Sequence, residues 1–216
     1  MKEKKDIIIN GRSLKDILDL HELFLNTGGK EGERVNLEYA NLEDANLEDA
    51  NLEGAYLIGV SLKRANLCNA NLKCANLASA NLEDANLEHA NLKEVNLKDA
   101  YFKDTNLENA NLEHANLIGA NLGSANLKDV NLYNACLKYA YLYNVCLEYA
   151  NLRYANLKDA ILEYVNLYNA CLKYANLENA NLEHVNLIGA NLGSAKLVGV
   201  NLENTIYNHA TIMPNK

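Results

Sequence analysis

The side chains able to do chemistry are five histidines, five cysteines and twenty-eight carboxylates, but few stand at a productive spacing. His89, His114, His184 and His209 are isolated on polar positions, with no cysteine or carboxylate set beside them at metal-ligand spacing. General acid–base work needs two carboxyls in unlike environments within a concave pocket, and the acids here recur evenly along the chain. Cys68, Cys74, Cys136, Cys146 and Cys171 are odd in number and irregularly placed, so they read as small packing residues and free thiols of a reducing compartment. Gly119, Gly123, Gly189 and Gly193 lead into no helix and form no phosphate loop. The expectation is no enzyme, no catalytic residue, no metal and no cofactor.

What positions these residues is a repeat. From Val35 to about Pro214 the chain reads A-N-L-x-x: Leu stands at Leu37, Leu42, Leu47 and every fifth residue to Leu202, with Phe102, Tyr207 and Ile212 in the same series. Two positions before each Leu is Ala or another small residue such as Val35, Val60, Val95 or Thr105. A helix cannot use this period, because five residues at about 3.6 per turn rotate successive leucines by about 140° and no apolar face forms. A straight strand cannot either, since an odd period sends alternate leucines to opposite faces. The pattern works if the chain turns a corner once per pentad, with the small residue and Leu inward, Asn outward, and the last two residues forming the corner. Each pentad then delivers the same two side chains to one interior, and the chain winds into a filled tube in which no single coil is stable alone.

These A-N-L-x-x copies resemble the pentapeptide-repeat family. The resemblance implies an all-β solenoid, a right-handed quadrilateral parallel β-helix with four pentads per coil, the number four coming from the resemblance and not from the period. Residues 35–214 then make about nine coils, a rod roughly 43 Å long at the spacing of paired strands. Residues 1–34 do not repeat and are expected to form an N-terminal cap: a short strand from Asp6 to Ile9, a turn at Asn10-Gly11, and a helix capped by Ser13 with Asp16 three residues on. Leu14, Ile17, Leu18, His21 and Leu25 make its apolar stripe, and TGGKEGER ends it. Residues 215–216 are left as a tail.

No apolar run approaches the roughly 18–20 residues that span a bilayer, and the apolar part of MKEKKDIIIN is too short for a signal peptide; the expected setting is the cytoplasm, without membrane. Tyr101-Phe102 is the one mid-rod place where an aromatic takes the Leu position, and its volume should widen or bend the tube. Val60, Val95, Val130, Val165 and Val200 recur every 35 residues, and LENANLEHANLIGANLGSA beginning at Leu107 returns almost unchanged at Leu177. That 70-residue offset is three and a half coils, so the copies face opposite ways, the mark of internal duplication.

Three surfaces stand out as partner contacts. Tyr133, Tyr139, Tyr141, Tyr143, Tyr149, Tyr154, Tyr164, Tyr168 and Tyr174 form a belt around the rod, suited either to a protein partner or to stacking on one another, such as Tyr154 on Tyr174 one coil later. Assigning pentads to four sides in order from Val35, the second and third sides each carry a net charge of −5 at their corners, including Glu43, Asp44, Glu48, Asp49, Glu83, Asp84 and Glu88, whereas the first is neutral and the fourth +1. Such asymmetry steers basic partners and repels nucleic acid. It is similar to fluoroquinolone-resistance members of the family, which resemble duplex DNA and bind DNA gyrase in its place; that resemblance implies a gyrase or topoisomerase partner, although duplex DNA of this length carries about 25 charges. At the far end, Ile206, Tyr207, Ile212 and Met213 leave an apolar end of coil, expected to meet a second copy as a homodimer. The leading expectation is a non-enzymatic structural and protein-interaction rod of unspecified partner, and the alternative is a DNA-mimicking modulator of gyrase.

Overall fold

The computed structural model describes residues 1–214; the tail at 215–216 lies outside the described residues. The N-terminal segment begins with a 3-10 turn, Lys4–Asp6, then a two-stranded antiparallel hairpin of β1 (Ile8–Ile9) and β2 (Arg12–Ser13), joined through Asn10 and Gly11. Both linking residues have positive φ, 52° and 82°, as the tight hairpin turn that suits twisted strands requires. The strand is thus shorter than expected, because Asp6 belongs to the 3-10 turn. Helix α1 (Leu14–Asn26) starts at Ser13, whose Oγ accepts from the Asp16 N–H at 3.1 Å and donates to Asp16 Oδ2 at 2.7 Å. Leu14 and His21 are buried, and Ile9, Ile17 and Leu18 pack against the main core.

From Asn36 onward each outward residue forms a parallel bridge with the residue twenty later, Asn36 with Tyr56, Asn46 with Asn66, and so on to Asn186 with Ile206. Twenty residues are four pentads, so four pentads close one coil. The Leu and small residues of these pentads make one continuous core, and Leu42 through Leu192 are essentially without exposure. Phe102 is fully buried in the Leu series, and Tyr101 still bridges both Asn81 and Asn121; the register runs through the larger side chain unchanged.

The backbone accounting explains why the pentad has this composition. In the pentad Asn46 to Ala50, Asn46 N–H donates to Lys2, Leu47 N–H to Asn66 in the following coil, and Asp49 N–H to Cys68. Ala50 N–H donates to the carbonyl of Leu47, closing the corner turn. The one donor left, Glu48 N–H, is taken by Asn46 Oδ1 at 3.2 Å. The same side-chain bond recurs at every repeat Asn from Asn36 to Asn201. Asn is therefore the residue that satisfies the last of the five backbone donors of its pentad, while its Nδ2 reaches the Asn one coil earlier, as from Asn106 to Asn86 and from Asn126 to Asn106.

The second corner residue of each pentad lies in the left-handed region, with φ between 54° at Asn204 and 71° at Gly189. A type II turn places a positive φ at its third residue, and Asn, Asp, Gly and His fill most of these positions. At Gly189 the left-handed backbone is reinforced by space: Asn169 Oδ1 of the previous coil stands where a Cβ would be.

The two ends differ. At the N-terminal end Lys2 bridges Ala45, donating to the Asp44 carbonyl and accepting from Asn46 N–H, while His21 Nδ1 accepts from Val35 N–H at 3.2 Å. At the C-terminal end the spacing slips: Ile212 bridges Asn191, twenty-one residues apart. The turn from Asn208 to Thr211 holds one extra residue, tied by Thr211 Oγ1 to the Leu187 carbonyl. Ile212 consequently takes an outward Asn position, not the Leu position assigned from the period, and Met213 follows it into the Leu register.

Candidate interaction surfaces on the corners of the rod

The nine tyrosines do not form one belt. Coil closure resolves them into separate files on three corners, with Tyr139 alone on the first side. On the fourth side His114, Tyr133, Tyr154 and Tyr174 form a continuous ladder, each ring 4.9 to 5.9 Å from the next. On the second side Tyr141, Tyr143, Tyr164 and His184 form another, with spacings of 4.6 to 6.1 Å. Tyr149 and Tyr168 pair edge to face on the third side at 5.7 Å. The sequence reading anticipated the 20-residue stack of Tyr154 on Tyr174. It missed the contacts at 19 and 21 residues, such as Tyr133 to Tyr154, because a ring on the first corner position leans over the second corner position of its neighbour.

These rings are stacked and still substantially exposed: Tyr143, Tyr154, Tyr164 and Tyr174 each keep 39 to 47% of their surface, and Tyr139 keeps 63%. Tyr139, Tyr149, Tyr154, Tyr164 and Tyr174 occupy the left-handed corner position, where a bulky side chain costs free energy that Asn or Gly would not. The same tract interrupts the Asn files, with Cys136, Tyr141, Cys146, Ile161 and Cys171 at outward positions. Without an Asn oxygen, the corner N–H groups of Lys138, Tyr143, Glu163 and Lys173 have no protein acceptor among the described residues. This part of the rod gives up both the preferred turn residues and the side-chain acceptors, and presents aromatic corners instead.

The acidic corners are more neutral than their sequence suggests. Glu43, Lys63, Glu83 and Lys103 alternate along one file, and Lys63 Nζ lies 2.7 Å from Glu83. Arg64 contacts Asp44 at 2.7 Å and Glu43 at 2.9 Å. The hydrogen bond from Arg64 holds the Asp44 carboxyl below its ordinary range, and Lys63 does the same for Glu83. On the third side Glu48 and Glu88 accept from Asn66 and Asn106, and His89 sits 3.5 Å from Glu88. Asp49 and Asp84 have no ion-pair partner among the described residues. The seven residues thus split between two adjacent corners, and three of them, Glu43, Asp44 and Glu83, pair with Lys63 or Arg64 within the rod.

Among the described residues no three His, Cys, Asp or Glu side chains gather as a metal site. All five cysteines are free thiols; Cys136, Cys146 and Cys171 each stand in file with Asn residues above and below. Burial raises the Cys68, Cys74 and Cys146 thiols above their usual range, which makes them poor nucleophiles. Two concavities flank the N-terminal helix, one of them a 330 Å³ hollow between Ile17, Leu20, Arg34 and Val35. Among the described residues no helix is long and apolar enough to cross a membrane.

With twenty-residue coils, an Asn that closes each pentad and a continuous Leu core in place, the relationship to known proteins is decided by the repeat itself: the family model for pentapeptide repeats matches residues 34–73, 70–109, 105–139, 140–173 and 172–204. The chain belongs to the pentapeptide-repeat family. Its fold is that family's right-handed β-helix solenoid. Among solved structures it is similar to the pentapeptide repeat protein Rfr23 of the cyanobacterium Cyanothece 51142, with 39% identity over 43% of this chain and a TM-score of 0.43. This chain spans 63% of the Rfr23 chain. It is also similar to HetL of Nostoc sp. strain PCC 7120, involved in heterocyst differentiation regulation, with 32% identity over 85% of this chain and 92% of HetL and a TM-score of 0.35. QnrB1, a plasmid-mediated fluoroquinolone resistance protein, aligns over 81% of this chain and 90% of its own at 17% identity and a TM-score of 0.44. A comparison with curated proteins returned no match.

Proposed function

We propose that this pentapeptide-repeat rod is a non-enzymatic protein-interaction module of the cytoplasm, and that the aromatic corners between Tyr133 and His184 are its contact surface. One observation carries the reading: the same tract gives up Asn acceptors and left-handed Asn or Gly turns in order to hold exposed tyrosines. A sequence selected for rod stability alone would repeat A-N-L-x-x there. Tyr is also the side chain that offers large contact area for little conformational entropy.

In this reading residues 1–34 are the cap, since Lys2 and His21 satisfy backbone of the first coils and α1 lies on the core, and the rod is the full run of coils to Pro214. In the last described coils Ile206, Tyr207 and Ile212 are more than half exposed, and the N–H groups of Leu197, Gly199, Leu202 and Asn204 have no acceptor among the described residues. An unpaired rim around exposed apolar side chains supports an end-on homodimer. The gyrase reading has less support, because Lys63, Arg64 and Lys128 pair with acids on the two sides that would imitate duplex DNA.

The deciding experiment compares two variants in affinity capture from the native cell extract. Tyr154→Ser with Tyr164→Ser should release the captured protein, and Glu83→Lys with Glu88→Lys should retain it. Capture lost only with the acid reversals, together with inhibition of gyrase supercoiling by the wild type, would replace the proposed function with DNA mimicry.

A further inference from the structure

The two long aromatic ladders are the same construction with the charge reversed. On the fourth side, Tyr133-Asn134, Arg153-Tyr154 and Lys173-Tyr174 follow one another up the corner. On the second side, ten residues further along the chain, stand Tyr143-Asn144, Glu163-Tyr164 and Glu183-His184. Their geometries agree closely. Tyr133 meets Tyr154 at 5.5 Å and 73°, and Tyr143 meets Tyr164 at 5.4 Å and 65°. Tyr154 stacks on Tyr174 at 4.9 Å and 13°, and Tyr164 on His184 at 4.6 Å and 9°. Where the fourth side places Arg153 and Lys173 against the rings of Tyr154 and Tyr174, the second side places carboxylates.

Ten residues are half a coil, so the two corners point in opposite directions at nearly the same height, and both files carry the coil's own spacing. We propose that the Arg153/Lys173 corner of one rod docks against the Glu163/Glu183 corner of a second copy lying parallel beside it. Arg153 then faces Glu163, Lys173 faces Glu183, and the tyrosine ladders meet between them. The matched spacing is what selects a second copy over an unrelated basic protein: a rod of the same rise keeps both pairs in register. Arg153 and Lys173 are in no ion pair within the chain among the described residues, and Glu163 is held only by the Asn181 amide at 2.6 Å. Glu183 does have a partner within the chain, His184 Nε2 at 3.2 Å.

Because donor and acceptor corners lie on opposite sides, the contact is heterologous and does not close; it propagates into rafts of parallel rods, unlike an end-on dimer. Below the ladder coils the same alignment sets Lys93 beside Lys103, a like-charge pair, and Lys73 beside Glu83, an opposite-charge one. So small an interface is weak and transient. Its salt dependence is set by exposed charges, screened beyond about 10 Å at 0.1 M ionic strength.

The proposal rests on reading the tyrosine corners as contact surfaces, and it is tested by charge exchange in sedimentation velocity. Wild-type protein should show a sedimentation coefficient that rises with concentration at low salt and falls back when salt is added. Arg153→Glu with Lys173→Glu, and separately Glu163→Lys with Glu183→Lys, should each lose about tenfold or more in association, while keeping the wild-type circular dichroism melt. Mixing these two variants one to one should restore association, since each then offers the corner the other lacks. Association that survives both reversals, or no recovery on mixing, overturns the lateral contact. Capture of a cellular protein through the tyrosines by the non-associating variants would show that the corners still serve an outside partner, so the proposed function can outlive this inference.

Discussion

At the scale of single residues, the corner tyrosines show how a local cost is offset by a neighbour. Tyr139 and Tyr154 share the left-handed backbone, with φ of 59° and 61°, but only Tyr154 is clasped between rings, Tyr133 on one side and Tyr174 on the other. Tyr139→Asn should therefore stabilise the rod by about 0.5–1 kcal/mol, the strain a small polar residue relieves there. In Tyr154→Asn the same relief is cancelled by the loss of two aromatic contacts worth about 0.5–1.5 kcal/mol each, so stability stays level or falls. Urea unfolding of the two variants measures the difference. His21 gives a pH test. Burial is the main cause that lowers its pKa from the usual 6.5, and the nearby Arg34 charge adds to it, against a weaker pull from the Glu53 carbonyl. The folded protein thus resists taking up a proton that the unfolded chain accepts. The contribution is intact above the unfolded pKa and is lost as pH falls from about 6.5 toward the lower folded value. Thermal midpoints should drop on acidification across that window, and His21→Gln should flatten the drop.

At the scale of the pentad, the asymmetry between Asn and its replacements sets local stability. Asn106 takes the Glu108 N–H, accepts from Asn126 and donates to Asn86. Asn106→Ala leaves the Glu108 N–H and the Asn126 and Asn86 amides short of partners, at an expected cost of about 1–3 kcal/mol. Ile161→Asn runs the other way. It returns an acceptor to the Glu163 N–H and adds about 0.5–1.5 kcal/mol. It also removes a side chain that is 40% exposed beside the second-side ladder. Denaturant midpoints that move in opposite directions for these two variants would establish the Asn as the device that completes each turn. The hairpin and helix follow ordinary local rules. Asn10-Gly11 supplies two positive φ values and Ser13 caps α1, so these were legible from neighbouring residues alone. Asp6 reads as strand by sequence and instead closes a 3-10 turn, since nothing in four residues of sequence separates the two.

At the scale of the whole molecule, every coil depends on the next for its hydrogen bonds and for cover of its leucines. Leu127 has no exposed surface and lies mid-stack. Leu127→Lys would bury an ammonium with no partner, a loss of several kcal/mol, and it interrupts the column on both sides at once. A single cooperative melt should give way to a broad or two-step transition. What the amino-acid order determined by itself was the inward-facing series. A period of five with a small residue two places before Leu requires a corner in every pentad and one shared interior, and the core from Leu42 to Leu192 follows it. What the tertiary structure alone decided was which residues meet. Coil closure at twenty residues sorts a run of tyrosines into separate ladders, pairs Lys63 with Glu83, and sets Arg153 and Glu163 on opposite corners. The single-residue slip that turns Ile212 outward is decided there too. A neighbour twenty positions away is defined by the number of sides of the coil, and no local pattern carries that number.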